Sequence, residues 1–436
     1  MRLRQVFIFW LPLFASWLLL TLEGPIITAS INRLPDEVLM LAAAGIVLSL
    51  SVVIESPIIT MLSTATALVR DRQSFLMVRR FTVHWMIALT LLTIIIAFTP
   101  VFDVVVSRWL GAPENVALWV RPGMQIMTLW SAAIAWRRFL QGVLIRFDRT
   151  RSVSWGTAIR LVCSGGLAIG LAAWSGWPGV IVGAIAWMGG VVSEAIYISF
   201  AVRPLLRNEL AEGAAHSGRK PLTYRRLFWF HLPLAGTSVL TLMAQPLVTF
   251  SLARLDNPTL SLAAWPLVFQ ILLITRAPAL ALPETVIALS DRPDNFRTLR
   301  RFTMMLAGLS VITMAIVVFS PVATFYLTQI QDADQAVVTV ALRGLGLFLL
   351  LPALTVVISW LRGLLINQEA TPAVNWGTVI NLAVTAVVLA AGVLLNVPGI
   401  PAAAVALTLA LVIELAFLWQ RTRQILAMPL LTSSPT

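Results

Sequence analysis

The sequence predicts an all-α polytopic membrane protein, with twelve transmembrane helices arranged as two six-helix lobes in parallel repeat around a central cleft. Three observations carry that prediction. The 436-residue chain is 59% hydrophobic and 11% charged, with a mean hydropathy of +0.89. Its apolar runs recur from end to end at about the twenty residues a helix needs to cross a bilayer. The Lys and Arg excess, 31 against 19 Asp and Glu, falls in short segments between those runs, and the whole pattern repeats at an offset of 221 residues, which carries Pro25 onto Pro246.

In chain order the apolar runs give span 1 over 6–31, span 2 over 38–69, span 3 over 82–109, span 4 over 118–145, span 5 over 153–175 and span 6 over 178–202. Span 7 covers 227–252, span 8 259–289, span 9 302–327, span 10 337–366, span 11 373–395 and span 12 400–419. Arginines such as Arg4, Arg70, Arg79, Arg80, Arg149, Arg226, Arg300 and Arg421 then share one side, as do Arg2, Arg219, Lys220 and Arg292. Basic loops mark the cytoplasm, so both termini are expected inside, in a cell (inner) membrane. The opposite side carries Arg33, Arg108, Arg121, Arg254 and the acidic loop "TQIQDADQ".

The basic, apolar N-terminus has the look of a secretory signal, but the repeat assigns it to the fold. "IFWLPLFASWLLLTLEGPIITASINRL" lies over "WFHLPLAGTSVLTLMAQPLVTFSLARL" without a gap, matching Pro12 with Pro233, Pro25 with Pro246 and Arg33 with Arg254. The same offset takes Pro57 to Pro278, "RRFT" at Arg79 to "RRFT" at Arg300, Pro100 to Pro321, Gly142 to Gly363, and "VSWGT" to "VNWGT"; after one deletion Glu194 meets Glu414. An even number of spans per copy makes this a parallel repeat about an axis along the membrane normal. The expected organisation is an N-lobe over 1–202, a cytoplasmic linker over 203–226 and a C-lobe over 227–436.

Composition also excludes functions. The arginines are distributed as the positive-inside bias distributes them, so nucleic acid is not an expected partner. A single cysteine, Cys163, allows no intramolecular disulfide. No phosphate-binding glycine loop or hydrolytic triad is present, and neither His84 nor His231 has other ligands at metal spacing. No enzyme activity, cofactor or metal is expected, and transport must draw on a solute or ion gradient or on a partner.

A charge at the bilayer centre costs at least about 2.5–3.5 kcal/mol, so intramembrane charges need a partner, water or a function. Glu55 in "IESP" and Arg276 in "TRAP" are the deepest, each just before a repeat-matched proline, at equivalent positions with opposite sign. They read either as contacts for substrate or coupling ion or as an ion pair between lobes. Glu23 stands before the Gly24–Pro25 breaker, where its repeat equivalent is Ala244. It is a candidate for proton or cation binding, against a buried hydrogen bond or salt bridge. Glu284 in "ALPETVIAL" reads as pairing or ligand contact. Arg137 and Arg138 in "AIAWRRFLQG", and Arg362 at nearly the matching place in span 10, read as an anion-binding fork or as side chains reaching the inner-leaflet phosphates. Glu194 and Glu414, being repeat-matched, favour a shared structural contact.

Three stretches carry a resemblance. "FWFHLPLAGTSVLTLMAQPLVTFSLARL", "ALPETVIAL" and "LRGLGLFLLLPALTVVISWLRGLLI" resemble the seventh, eighth and tenth spans of the progressive ankylosis (ANK-type) membrane proteins. These are members of the multidrug, oligosaccharide-lipid and polysaccharide exporter superfamily, with a MATE-like fold. The resemblance implies twelve helices in two lobes and alternating access. In the ANK branch it implies export of anions such as pyrophosphate, nucleoside triphosphate or citrate; in other branches, of cationic drugs or lipid-linked sugars. By position it carries over an acidic residue at Glu284 and a basic one at Arg254; Arg137 and Arg138 fall outside the family pattern.

The expectation is therefore a secondary transporter in the bilayer, exporting a small anionic or phosphate-bearing solute, with a coupling proton or sodium ion as a further partner. The alternatives are a lipid-linked oligosaccharide flippase, a cation-coupled multidrug exporter, and a scaffold with every charge paired.

Overall fold

A computed structural model describes residues 3–147, 149–210, 222–289, 295–368 and 370–432. Arg2, Arg219, Lys220, Arg292 and the middle of the predicted linker lie outside the described residues. The described chain is all-α. Ten helices, from Leu3–Ile31 to Gly399–Gln424, are long and apolar enough to cross a membrane, and Gln335–Phe348 with Leu351–Asn367, bent by 48°, makes an eleventh when taken as one span. The predicted span 4 is Glu114–Ile126 and Trp130–Arg146, joined by the single 3-10 turn Met127–Leu129. Arg121, Arg137, Arg138 and Arg146 interrupt its apolar stretch, which separates it from the other eleven.

Spans 3 and 9 differ from their predicted bounds. They are the helices Arg72–Phe98 and Asn295–Phe319, beginning earlier and ending before Pro100 and Pro321. Asp71 caps the first of them, its carboxylate accepting from the Ser74 N–H at 2.8 Å. The prolines stop the helical ladder, and beyond each stands a separate wide-turn helix, Asp103–Leu110 in one half and Tyr326–Ile330 in the other.

The breaks repeat with the sequence. Span 1 breaks between Thr21 and Glu23, and span 7 between Leu242 and Ala244. Span 2 breaks after Glu55 into the 3-10 turn Ser56–Ile58, and span 8 between Leu280 and Leu282. Left-handed corners recur as well: Asp36 (φ 57°) with Asn257 (φ 50°), Gly111 (φ 76°) with Asp332 (φ 51°), and Gly176 (φ 64°) with Asn396 (φ 51°). Where one half uses glycine the other uses Asp or Asn, the side chains that tolerate this region best.

Two compact units result, Ile26–Ala253 and Met1–Pro25 with Arg254–Thr436. The first half of span 1 therefore packs with spans 8–12, and span 7 with spans 2–6, although each begins the opposite half of the sequence repeat. In the first unit Met61, Phe75, Phe81, Phe139, Ile198 and Leu227 form one buried cluster, which includes the start of span 7. Span 4 closes on the second half of span 2 through Gly142, where a Cβ would lie 2.3 Å from the Leu62 carbonyl oxygen; in the other unit a Cβ on the equivalent Gly363 would meet Val286 at 2.8 Å. Backbone cannot yield as a side-chain tip can. Gly142→Ala is expected to cost about 1–3 kcal/mol through overpacking, read as a lowered melting temperature in detergent, whereas Gly166→Ala, with nothing within 4 Å of its Cβ, should leave it unchanged.

Candidate functional site

Each unit builds a buried polar clasp around a glutamate, on span 6 in one and on span 12 in the other. Glu194 on Gly179–Ala201 is fully buried. It accepts from Arg137 Nη1 at 2.6 Å and from Gln141 Nε2 at 2.8 Å. Arg137 and Gln141 lie four residues apart on Trp130–Arg146 and so share a face. Gly156 on span 5 leaves room for the carboxylate, since a Cβ there would sit 3.3 Å from Glu194 Cγ.

Glu414, also fully buried, accepts from Arg362 Nε at 3.0 Å, from Arg362 Nη2, and from Asn381 Nδ2 at 2.9 Å. Gly377 faces it as Gly156 faces Glu194. The repeat relates Gln141 to Arg362 and Arg160 to Asn381. The clasp thus keeps one guanidinium and one amide on the glutamate while their positions change, the N-half guanidinium standing one turn earlier. Sequence reasoning misses Gln141 and Asn381 because amides carry no charge to flag them; applying the offset to Arg362 and Arg160 finds both.

Arg137 and Arg362, read from sequence as an anion-binding fork or as side chains reaching the inner-leaflet phosphates, are thus engaged with carboxylates. Arg138 is not. It is half-buried beside the clasp, in the fields of Arg137, Glu194, Arg160 and Glu55, and among the described residues its Nε is buried without a hydrogen-bond partner. Arg276, half-buried on Pro258–Leu280, is the counterpart in the other unit: it stands in the fields of Arg362 and Glu414, and its Nε likewise has no partner among the described residues.

Glu55 ends the helix Glu37–Glu55 and is 6% exposed. Pro57 cannot serve the Val53 carbonyl, and the Ser56 hydroxyl takes it at 2.7 Å. That local repair lets the helix break where the carboxylate emerges. Glu55 lies in the field of Arg137, Arg160 and Arg138. The Trp130 indole is beside it, and among the described residues both its Nε1 and Glu55 Oε2 are buried without a hydrogen-bond partner.

Glu23 is buried in the first turn of Glu23–Ile31. The break it begins is held by a network that the sequence does not announce. Gln331 Nε2 donates to the Pro25 carbonyl at 3.2 Å and to Tyr326 Oη at 3.1 Å, and Tyr326 Oη donates to Gln270 Oε1 at 3.1 Å. A Cβ on Gly24 would lie 3.3 Å from Gln270 Nε2, so the glycine is what lets span 8 approach. Glu284 stands exposed in the first turn of Leu282–Leu289. Among the described residues no three His, Cys, Asp or Glu side chains converge as a metal site.

Neither a protein-family model nor a curated relative matches the chain. Solved structures do. An inward-facing multidrug resistance MATE family transporter of the MOP superfamily superposes with TM-score 0.63 at 14% identity, over 97% of this chain and 96% of that one. A MOP superfamily transporter from Pyrococcus furiosus, distinguished by the reversed polarity of its binding pocket, gives 0.65 at 14% identity over 96% of each chain. The lipid II flippase MurJ, in an inward closed conformation, gives 0.71 at 10% identity over 97% of this chain and 92% of that one. The fold is that of the MATE and MOP transporters and of the flippase.

Proposed function

We propose that the chain is an alternating-access secondary transporter exporting a small anionic or phosphate-bearing solute. The observation that carries this reading is the pair Arg138 and Arg276, one in each unit. Both are guanidiniums within apolar spans whose buried Nε has no partner among the described residues. A permanent charge kept at such a cost without a carboxylate hydrogen-bonded to it among the described residues is accounted for by an anion that comes and goes, and the guanidinium fork fits phosphate and carboxylate oxygens. Arg137 and Arg362 then set the clasps that hold spans 4 and 10 in place. Glu55, a buried carboxylate outside either clasp, and Glu23, at the break of span 1, are the groups proposed to take a coupling proton or sodium ion. Glu284 is assigned to the entrance of the path.

On this reading the lobes of the cycle are the repeat halves 1–202 and 227–436, and the chain lies in the inner membrane with both termini cytoplasmic. The ANK-type branch, with pyrophosphate, nucleoside triphosphate or citrate as cargo, is the finer assignment. The likeness to a lipid II flippase supports a second reading, a lipid-linked oligosaccharide flippase, in which the same arginines would meet a lipid pyrophosphate. A cation-coupled multidrug exporter would instead need Glu23 and Glu55 to meet the solute.

Ligand-induced thermal stabilisation of the purified protein tests these together. Binding at one hundred times Kd adds about 2.7 kcal/mol of stability. Free pyrophosphate or citrate is expected to raise the melting temperature in wild type and not in Arg138→Ala/Arg276→Ala. Stabilisation by lipid pyrophosphates alone selects the flippase, and stabilisation by organic cations alone overturns the anion reading.

A further inference from the structure

The sequence repeat places Trp10 of span 1 over His231 of span 7, inside the aligned "IFWLPL" and "WFHLPL". The structure gives these two residues the same task. Trp10 Nε1 donates to the Pro278 carbonyl at 3.1 Å, and His231 Nε2 donates to the Pro57 carbonyl at 3.0 Å. Pro278 and Pro57 are themselves repeat equivalents. Each ring also stands edge-on to an equivalent phenylalanine of "RRFT", Trp10 to Phe302 at 5.7 Å and 69°, His231 to Phe81 at 5.3 Å and 80°.

Both carbonyls are offered by helix breaks. Pro57 lies in the 3-10 turn of span 2, and Pro278 in the last turn of Pro258–Leu280, where carbonyls lack partners within the helix. A carbonyl only accepts, so His231 Nε2 carries the proton, and in the neutral ring Nδ1 accepts from the Thr64 hydroxyl at 2.9 Å. Thr285, the equivalent of Thr64, donates instead to its own Ala281 carbonyl at 3.0 Å, because an indole has no second nitrogen to offer. His231 is fully buried and Trp10 is 5% exposed.

Each bond joins the first span of one repeat half to the broken second span of the other half. Both donors sit near the starts of their spans, on the side the basic residues assign to the cytoplasm. Resting on the transporter reading above, we propose that these are a matched pair of latches. Opening toward the cytoplasm, by motion of the repeat halves, requires the ring N–H at 10 and at 231 to release the proline carbonyls of spans 8 and 2. The latch at 231 has two hydrogen bonds and that at 10 has one, so the latch at Trp10 releases first.

The test uses the full chain in nanodiscs, with dyes on unnatural residues at positions 149 and 370 and single-molecule energy transfer as the readout. Trp10→Phe and His231→Phe each keep a ring and delete the donor, and each is expected to raise the open population about tenfold, the weight of one buried carbonyl left unpaired. Thr64→Cys in a Cys163→Ala background makes a cysteine–histidine pair with His231 that zinc can bridge, and zinc is expected to abolish the open population there and not in wild type. Unchanged distance populations in both ring variants, or full opening of the zinc-bridged protein, would overturn the latches while leaving alternating access standing. A single distance in wild type and in both ring variants would remove alternating access and the latches with it.

Discussion

Arg137→Ala is expected to destabilise the protein by about 3–5 kcal/mol, because it strips the guanidinium from a carboxylate that stays fully buried. The repeat supplies a rescue that a merely bulky residue would not show. In the C-half the clasp has isoleucine at the position of Arg137 and arginine at that of Gln141, namely Ile358 and Arg362, and Arg362 reaches Glu414 through two of its nitrogens. Arg137→Ile/Gln141→Arg therefore rebuilds the ion pair from the neighbouring turn and should recover most of the loss, whereas Arg137→Ile alone should not. Melting temperatures of the singles and the double, in the same detergent, give the coupling directly. Additive losses would show that Glu194 does not depend on a guanidinium.

Much of this architecture is legible in the sequence, and the reason is duplication. A single apolar run says only that a helix can span, but Pro25 with Pro246 and Pro57 with Pro278 announce where spans break, and the structure breaks spans 1, 2, 7 and 8 close to those prolines. Three things are not legible. The predicted ends of spans 3 and 9 run past Pro100 and Pro321 because hydropathy averages over a proline that the backbone cannot. The clasps are half visible: Glu194 and Glu414 stand out as repeat-matched charges, but their amide partners Gln141 and Asn381 and the network of Gln270, Tyr326 and Gln331 are neutral, and only packing brings them together. Nor does any sequence pattern say that span 7 packs in the unit of spans 2–6; that depends on long-range contacts such as Ser49 with Thr249 at 2.9 Å.

Arg276→Ala should behave in the opposite way to Arg137→Ala: anion transport lost, fold kept. Arg276 makes no ion pair among the described residues, so its removal orphans no carboxylate; it relieves the repulsion of Arg362 while forgoing the smaller attraction of Glu414. The melting temperature without ligand is therefore expected to hold or rise. If the guanidinium receives the solute, the variant forfeits a charge-assisted hydrogen bond worth about 1.5–3 kcal/mol, or about 10- to 150-fold in affinity. Arg276→Lys keeps the charge but not the planar fork, and should retain part of the affinity for a monodentate anion and little for a bidentate one. Uptake of pyrophosphate and citrate into proteoliposomes, measured beside the melting temperature for the three proteins, separates these roles. Wild-type uptake by Arg276→Ala would remove Arg276 from the solute path, and a collapsed melting temperature would make it a structural charge whose partner is the fold itself.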